Sequence, residues 1–174
     1  WRSGSSLTED YVKKALKMEG LSGTALTSHK NYNLLVKYVD TAEMYRLNKW
    51  ARGGFPTYDI WVELGLGRVT SLAQIEQVKN TNAYRIYKRY VNAFDDSVIS
   101  TMGSGYHLPK LVSDKATPAE MTARAQIWAE AGRSDDYVMM MLGLTGLKGA
   151  KLARNRNYPY YTEFLAKRQV NPRY

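Results

Sequence analysis

The sequence predicts an all-α protein made of tandem small helical bundles stacked in series. Three observations carry that prediction. No segment sustains the period-two alternation of a half-buried strand, while aromatic and aliphatic residues recur at helical spacing. Glycine, proline and capping residues punctuate these stretches at short intervals. One pattern also returns three times along the chain, the mark of a repeat architecture.

The repeat is read by self-comparison. Trp50-Ala51-Arg52-Gly53-Gly54 aligns with Trp128-Ala129-Glu130-Ala131-Gly132, and without a gap Leu64-Gly65-Leu66 then falls on Leu142-Gly143-Leu144. A third copy lies at the N-terminus. At one constant offset Tyr11-Val12 matches Tyr137-Val138, Leu16-Lys17-Met18 matches Leu142-Gly143-Leu144, and Asn31-Tyr32 matches Asn157-Tyr158. Further along the same register, Tyr38-Val39 falls on Phe164-Leu165. The middle copy carries a four-residue insertion, and the last carries an extra leading segment over roughly 94–119. The expected units are 1–45, 46–93 and 94–174. Trp1 is one residue out of register with Trp128, and is either the first unit's Trp or merely the residue at which the chain begins.

Each element follows from local chemistry. Thr8-Glu9-Asp10 and Ser134-Asp135-Asp136 set a capping hydroxyl before two carboxylates, which suit the positive end of a helix. Pro56-Thr57 is expected to start the equivalent helix in the middle unit. Gly53-Gly54 and Gly132 separate these helices from those carrying Trp50 and Trp128. After each Leu-x-Leu comes a polar stretch, and then a helix with an apolar stripe. The stripes are Tyr32, Leu35, Tyr38 in the first unit, Tyr84, Tyr87, Tyr90 in the second, and Tyr158, Tyr161, Phe164 in the third. Asn31 and Asn157 stand at the N-cap positions of two of them, where their side chains are expected to satisfy unpaired backbone N–H groups. Thr117-Pro118-Ala119-Glu120 opens the helix that ends in Trp128. Each helix before a Trp is expected to continue from the preceding tyrosine helix.

Composition narrows the chemistry. The chain has 174 residues, 44% hydrophobic, enough to bury a core. With no Cys it has no disulfide, thiol nucleophile or Cys-ligated zinc. His29 and His107 lie far apart in polar loops and form no catalytic or metal-ligating set. Asp135-Asp136 reads as a helix start and Asp95-Asp96 as a turn after the tyrosine helix, rather than as paired catalytic carboxylates. Gly103-Ser104-Gly105 lacks the third glycine, Lys and preceding strand of a phosphate loop. Met139-Met140-Met141 reads as gap-filling core. No catalytic residue, metal or cofactor is implied, and no apolar run is long enough to insert in a membrane. Trp1-Arg2-Ser3-Gly4 does not read as a signal peptide, so if the protein is secreted its leader has been removed.

Charge and aromatics point to partners. Lys and Arg total 25 against 16 Asp and Glu, a net charge of +9. That admits an acidic protein, nucleic acid or anionic lipid. Tyr is unusually abundant, with 14 copies beside 4 Trp and only 3 Phe. Repeat-locked spacing assigns the ladder of Trp50, Tyr90, Trp128, Phe164, Tyr38, Leu64 and Leu142 to the core. Trp61 is different, because the repeat places Met139 and Lys13 at its counterparts. Two readings stand open for it: an interface anchor if exposed, or a space-filling side chain if buried. The basic clusters Lys13, Lys14, Lys17, then Arg85, Lys88, Arg89, and then Lys148, Lys151, Arg154, Arg156 read either as solvated faces or as binding patches. From these sets Trp61, Arg85, Lys88, Arg89, Lys148 and Lys151 are the candidate partner-binding residues.

A unit keyed by Trp, then Leu-x-Leu, then Tyr at these spacings resembles the WY module of oomycete (Phytophthora-type) RXLR effectors. The W-motif copies look like Trp50 to Leu66 and Trp128 to Leu144, and the Y-motif copies like Tyr84 to Val91, Tyr158 to Leu165 and Asn31 to Asp40. The segment leading to Ala125-Gln126-Ile127-Trp128 is similar to the L motif of tandem LWY modules. Phe164 departs from the motif's Tyr, keeping the ring and losing the hydroxyl, and the RXLR tetrapeptide is not found in the chain. The resemblance implies a secreted, non-enzymatic effector that enters host plant cells, binds a host protein and suppresses immunity. It also implies Trp50 packing with Tyr90 and Trp128 with Phe164. Its alternative is a basic helical nucleic-acid-binding protein.

Overall fold

A computed structural model describes residues 8–170, and among them the chain is helical with no strand. Ten α-helices follow in order: α1 (Glu9–Ala15), α2 (Gly23–Thr27), α3 (Tyr32–Arg52), α4 (Thr57–Glu63), α5 (Leu72–Val78), α6 (Asn82–Thr101), α7 (Pro118–Glu130), α8 (Asp135–Met141), α9 (Gly149–Ala153) and α10 (Tyr158–Val170). One 3-10 turn, Leu66–Arg68, follows α4. The chain divides into two compact units at Lys49/Trp50, a boundary within α3. Trp1 lies outside the described residues.

Helix starts follow the capping chemistry of the sequence. The hydroxyls of Thr8 and Ser134 accept from Tyr11 N (3.2 Å) and Tyr137 N (3.1 Å). Thr117 accepts from Glu120 N at 3.3 Å, and Pro118 occupies the first turn, where its missing N–H costs nothing. The middle unit departs from expectation. Pro56 is the N-cap of α4 without a side-chain cap, and the Thr57 hydroxyl turns inward to Glu120.

Helix ends repeat more closely than helix starts. In the N-terminal unit Lys17 adopts φ 58, and in the C-terminal unit Gly143 adopts φ 68 at the matching place. The backbone closes identically around each: Met18 N to Lys13 O and Leu144 N to Met139 O, both 2.8 Å. This pairing satisfies carbonyls that a helix end otherwise leaves unpaired. Gly54 and Gly132, at φ 72 and 71, close α3 and α7 in the same way, with Trp50 O and Trp128 O as the acceptors. Asn31 and Asn157 precede α3 and α10 as predicted, but their amides do a different job. Asn31 Nδ2 donates to Leu16 O and Asn157 Nδ2 to Leu142 O, each at 2.9 Å, so each side chain ties its helix to the end of an earlier one.

The expected continuity of tyrosine and Trp helices occurs once. α3 carries both Tyr38 and Trp50. Beyond Tyr90, however, α6 ends at Thr101, and α7 begins afresh at Pro118. Gly103 and Gly105, at φ 76 and 84, turn the intervening chain into backbone that side-chain-bearing residues avoid.

In the C-terminal unit the core centres on α7, which is buried along almost its whole length and packs against α5, α6 and α10. Ala119, Ala123, Ala125 and Ala129 keep its girth small enough for that close approach. α6 presents Tyr84, Tyr87, Val91, Phe94 and Val98 along one buried stripe. Among the described residues of the N-terminal unit, Met18, Leu35 and Leu47 are the buried apolar ones.

Candidate functional site

Six core residues were predicted around the Trp and Tyr ladder of the C-terminal unit. Tyr90, Trp128, Phe164 and Leu142 are buried, whereas Trp50 and Leu64 are half-buried, as is Tyr38 in the N-terminal unit. Trp50 meets the Tyr90 ring edge-on at 6.4 Å between centroids. The Tyr90 hydroxyl donates to Phe55 O at 2.6 Å, tying α6 to the turn that enters α4. Trp128 has the Arg124 guanidinium over its face at 5.1 Å, and Phe164 stacks on Tyr161 at 6.2 Å with Arg168 over its ring.

Trp61 is fully buried, which removes it from the partner-binding residues. It packs edge-on against Tyr87 at 4.8 Å, because α4 lies against α6 with this face inward. The matching Lys13 and Met139 are only half-buried, so this position is more enclosed in the middle unit than in the other two.

The interior also holds charges that the sequence reading left outside it. Asp95, Glu120 and Arg124 are buried, and Thr57 and Gln126 nearly so. Asp95-Asp96 is not a turn: both residues lie within α6. Glu120 Oε1 accepts from Thr57 Oγ1 (2.8 Å) and from the Tyr87 hydroxyl (2.5 Å), joining α4, α6 and α7. Asp95 Oδ1 accepts from the Tyr137 hydroxyl at 2.8 Å, and Arg133 Nε lies 3.7 Å from Asp95 Oδ2. Arg124 is sandwiched between the Phe94 and Trp128 rings and donates to Leu111 O at 2.8 Å. Burial raises the Asp95 carboxyl above the usual carboxylate range, against the opposing field of Arg124. Burial likewise pushes the Tyr87 hydroxyl well up, with the Glu120 charge adding to it. These groups engage one another across helices through one oxygen of each carboxylate, while Asp95 Oδ2, Glu120 Oε2 and Arg124 Nε and Nη2 are buried without a hydrogen-bond partner.

A signal for this network was available. Glu120 and Arg124 precede Trp128 at steps of four, on the same helix face. Asp95 lies four residues after Val91 and three before Val98, in phase with the stripe. Helical phase placed all three inside, and residue type argued against it.

The remaining candidates are on the surface. Arg85 is exposed, Lys88 and Arg89 are half-buried, and Lys88 pairs with Glu130 at 2.5 Å. Lys148 and Lys151 are both exposed at α9. Asp135 in the first turn of α8 is bound by Arg168. The His29 ring is structural, its Nδ1 accepting from Asn31 N at 3.1 Å, as Asn155 Oδ1 does from Asn157 N in the C-terminal unit. Among the described residues no acid and histidine group is arranged to hold a metal, and no helix is long and apolar enough to cross a membrane.

A buried aromatic and polar interior under an exterior carrying a net positive charge defines an all-α protein with repeated helix joints. No protein-family model and no solved structure matches the chain. It is 30% identical over 158 residues to a secreted RxLR effector protein of Phytophthora infestans (strain T30-4), covering 91% of this chain and 65% of that protein. To the RxLR effector protein Avr1 of the same organism it is 26% identical over 139 residues, covering 80% of this chain and 60% of that one. The chain is thus similar over most of its length to RxLR effectors of an oomycete, the first of them a secreted one. It spans under two thirds of the length of these relatives.

Proposed function

We propose that the chain is a non-enzymatic effector scaffold, acting inside host plant cells, whose surface binds a host protein and thereby suppresses immunity. In this reading it consists of WY-type units at 1–45 and 46–93 and an LWY-type unit at 94–174. The observation that carries the scaffold reading is the recurrence of one set of joints in distant parts of the chain. The matching Asn31–Leu16 and Asn157–Leu142 bonds and the matching helix ends at Lys17 and Gly143 repeat in detail, while the exposed residues around them do not. Repetition of the frame with divergence of the surface suits a protein whose specificity lies in what it displays. The buried carboxylates support it too, since Glu120 and Asp95 are engaged by Thr57, Tyr87 and Tyr137 inside the core.

The net charge of +9 favours a second reading, nucleic-acid binding. One experiment separates the two: capture on the tagged chain from plant-cell extract, with nuclease added and washes at low and high salt. The scaffold reading expects a stoichiometric protein partner that survives both treatments. Recovery of nucleic acid alone, lost on nuclease or salt treatment, would replace it with the second reading.

A further inference from the structure

We propose that the cationic row along α9, formed by Lys148, Lys151 and Arg154 and extended by Arg156, docks a short acidic segment of a protein partner. The proposal rests on the host-protein reading above and supplies its surface and the chemistry of its ligand. Lys148 is the N-cap of α9, Lys151 lies within it and Arg154 is its C-cap. Steps of three residues keep the side chains on neighbouring parts of one helix face, roughly 5–6 Å apart at Cβ. All four cations are exposed. No acidic residue occurs between Asp136 and Glu163, and none of the four makes an ion pair among the described residues. Other cations are paired within the chain, as in Lys13–Glu9, Lys79–Glu76, Lys110–Asp114 and Arg133–Asp96, and what sets the row apart is four exposed cations within nine residues and no acidic neighbour in sequence.

The repeat supplies an internal control. α2 is the counterpart of α9: it has the same five-residue length, its first glycine has φ 54 against 55, and its C-cap has φ −90, ψ −4 against φ −90, ψ −5. The row on α2 reads Ser22, Ala25, Ser28, all exposed. The same backbone therefore forms without a cation at any of the three places. Three like charges on adjacent turns repel one another, and among the described residues no carboxylate forms an ion pair with them, the field of Asp114 reaching only Arg156 at the end of the row.

The geometry favours an acidic peptide over the other polyanions. Six residues of helix rise about 9 Å, which suits a few side-chain carboxylates rather than the long charge track of a nucleic acid. An anionic membrane surface is further disfavoured, because interfacial binding buries apolar side chains. No large hydrophobic residue is exposed after Leu108 among the described residues.

The test titrates the full chain into fluorescein-labelled decaglutamate at low salt and follows fluorescence anisotropy. Lys148→Ser, Lys151→Ala and Arg154→Ser together install the residues of the first unit. This triple variant is expected to bind about tenfold more weakly, the scale of three exposed charge pairs. A control with Lys13→Ser, Lys79→Ala and Lys110→Ser removes as much charge from self-paired positions and is expected to lose less than twofold. Far-UV circular dichroism checks that both variants fold, and the single reversal Lys151→Glu checks the direction at one exposed site. Absent saturable binding, equal losses in the two triple variants, or an unaffected row variant would overturn the proposal. So would tighter, row-dependent binding of a twenty-nucleotide oligo-dT or of 4:1 phosphatidylcholine–phosphatidylserine vesicles in parallel titrations. In plant extract, a stoichiometric partner retained by the row variant would overturn this proposal and leave the host-protein reading standing. Failure of the unmodified chain to capture any protein would overturn that reading, while the peptide titration would still decide what the row binds.

Discussion

Replacing Glu120 by leucine tests whether the buried polar joint between α4, α6 and α7 holds the C-terminal unit together. Glu120 is fully buried, and one of its oxygens accepts from two hydroxyls, Thr57 at 2.8 Å and Tyr87 at 2.5 Å. Glu120→Leu strands both donors in an interior where Thr57 is 3% and Tyr87 0% exposed. Each orphaned buried donor costs about 1–3 kcal/mol. The buried leucine returns about 1–2 kcal/mol through its apolar surface. The net expectation is a loss of about 3 kcal/mol. Urea unfolding followed by Trp fluorescence measures it, because Trp50, Trp61 and Trp128 all belong to this unit. Adding Tyr87→Phe to Glu120→Leu removes one stranded donor and is expected to restore about 1–2 kcal/mol, although Tyr87→Phe alone destabilises. A loss below about 1 kcal/mol, or simple additivity of the two substitutions, would refute the reasoning.

Two further predictions concern strain and pH. Lys17 holds a left-handed conformation for which glycine is used at Gly143, so Lys17→Gly is expected to stabilise the N-terminal unit by about 0.5–1 kcal/mol. Amide exchange in α1 measures this, and Lys17→Ala, which keeps a Cβ, should give no comparable gain. Because burial raises the Asp95 carboxyl, its ionisation penalises the folded state above the folded pKa, and the penalty disappears as pH falls through that value toward the ordinary one. Wild-type stability relative to D95N is therefore expected to rise between pH 7 and pH about 4. Urea midpoints across that range check it, and a difference that stays flat or moves the other way would contradict the buried assignment.

The ordering of elements was legible because it depends on local chemistry. Thr8, Ser134 and Thr117 cap the helices that their sequence context predicts. The stripe through Tyr84, Tyr87 and Tyr90 is buried as helical periodicity requires. The repeat aligns Lys17 with Gly143, and both hold the same left-handed turn, since side-chain identity matters less there than the backbone conformation. The interior charges were harder to read. Residue type says that Glu120, Arg124 and Asp95 belong in water, and only partners from other helices make their burial tolerable.

Sequence by itself determined the helical class, the repeat, several helix starts and the excess of positive charge, all of which arise from neighbours along the chain. Tertiary structure decided where each candidate residue faces. It buried Trp61 against Tyr87, paired Lys88 with Glu130 and left Lys148 and Lys151 exposed without an ion pair among the described residues. The physical reason is that burial and ion pairing depend on which distant helices come together. A tryptophan or lysine at a given helical phase has no fate until those contacts exist.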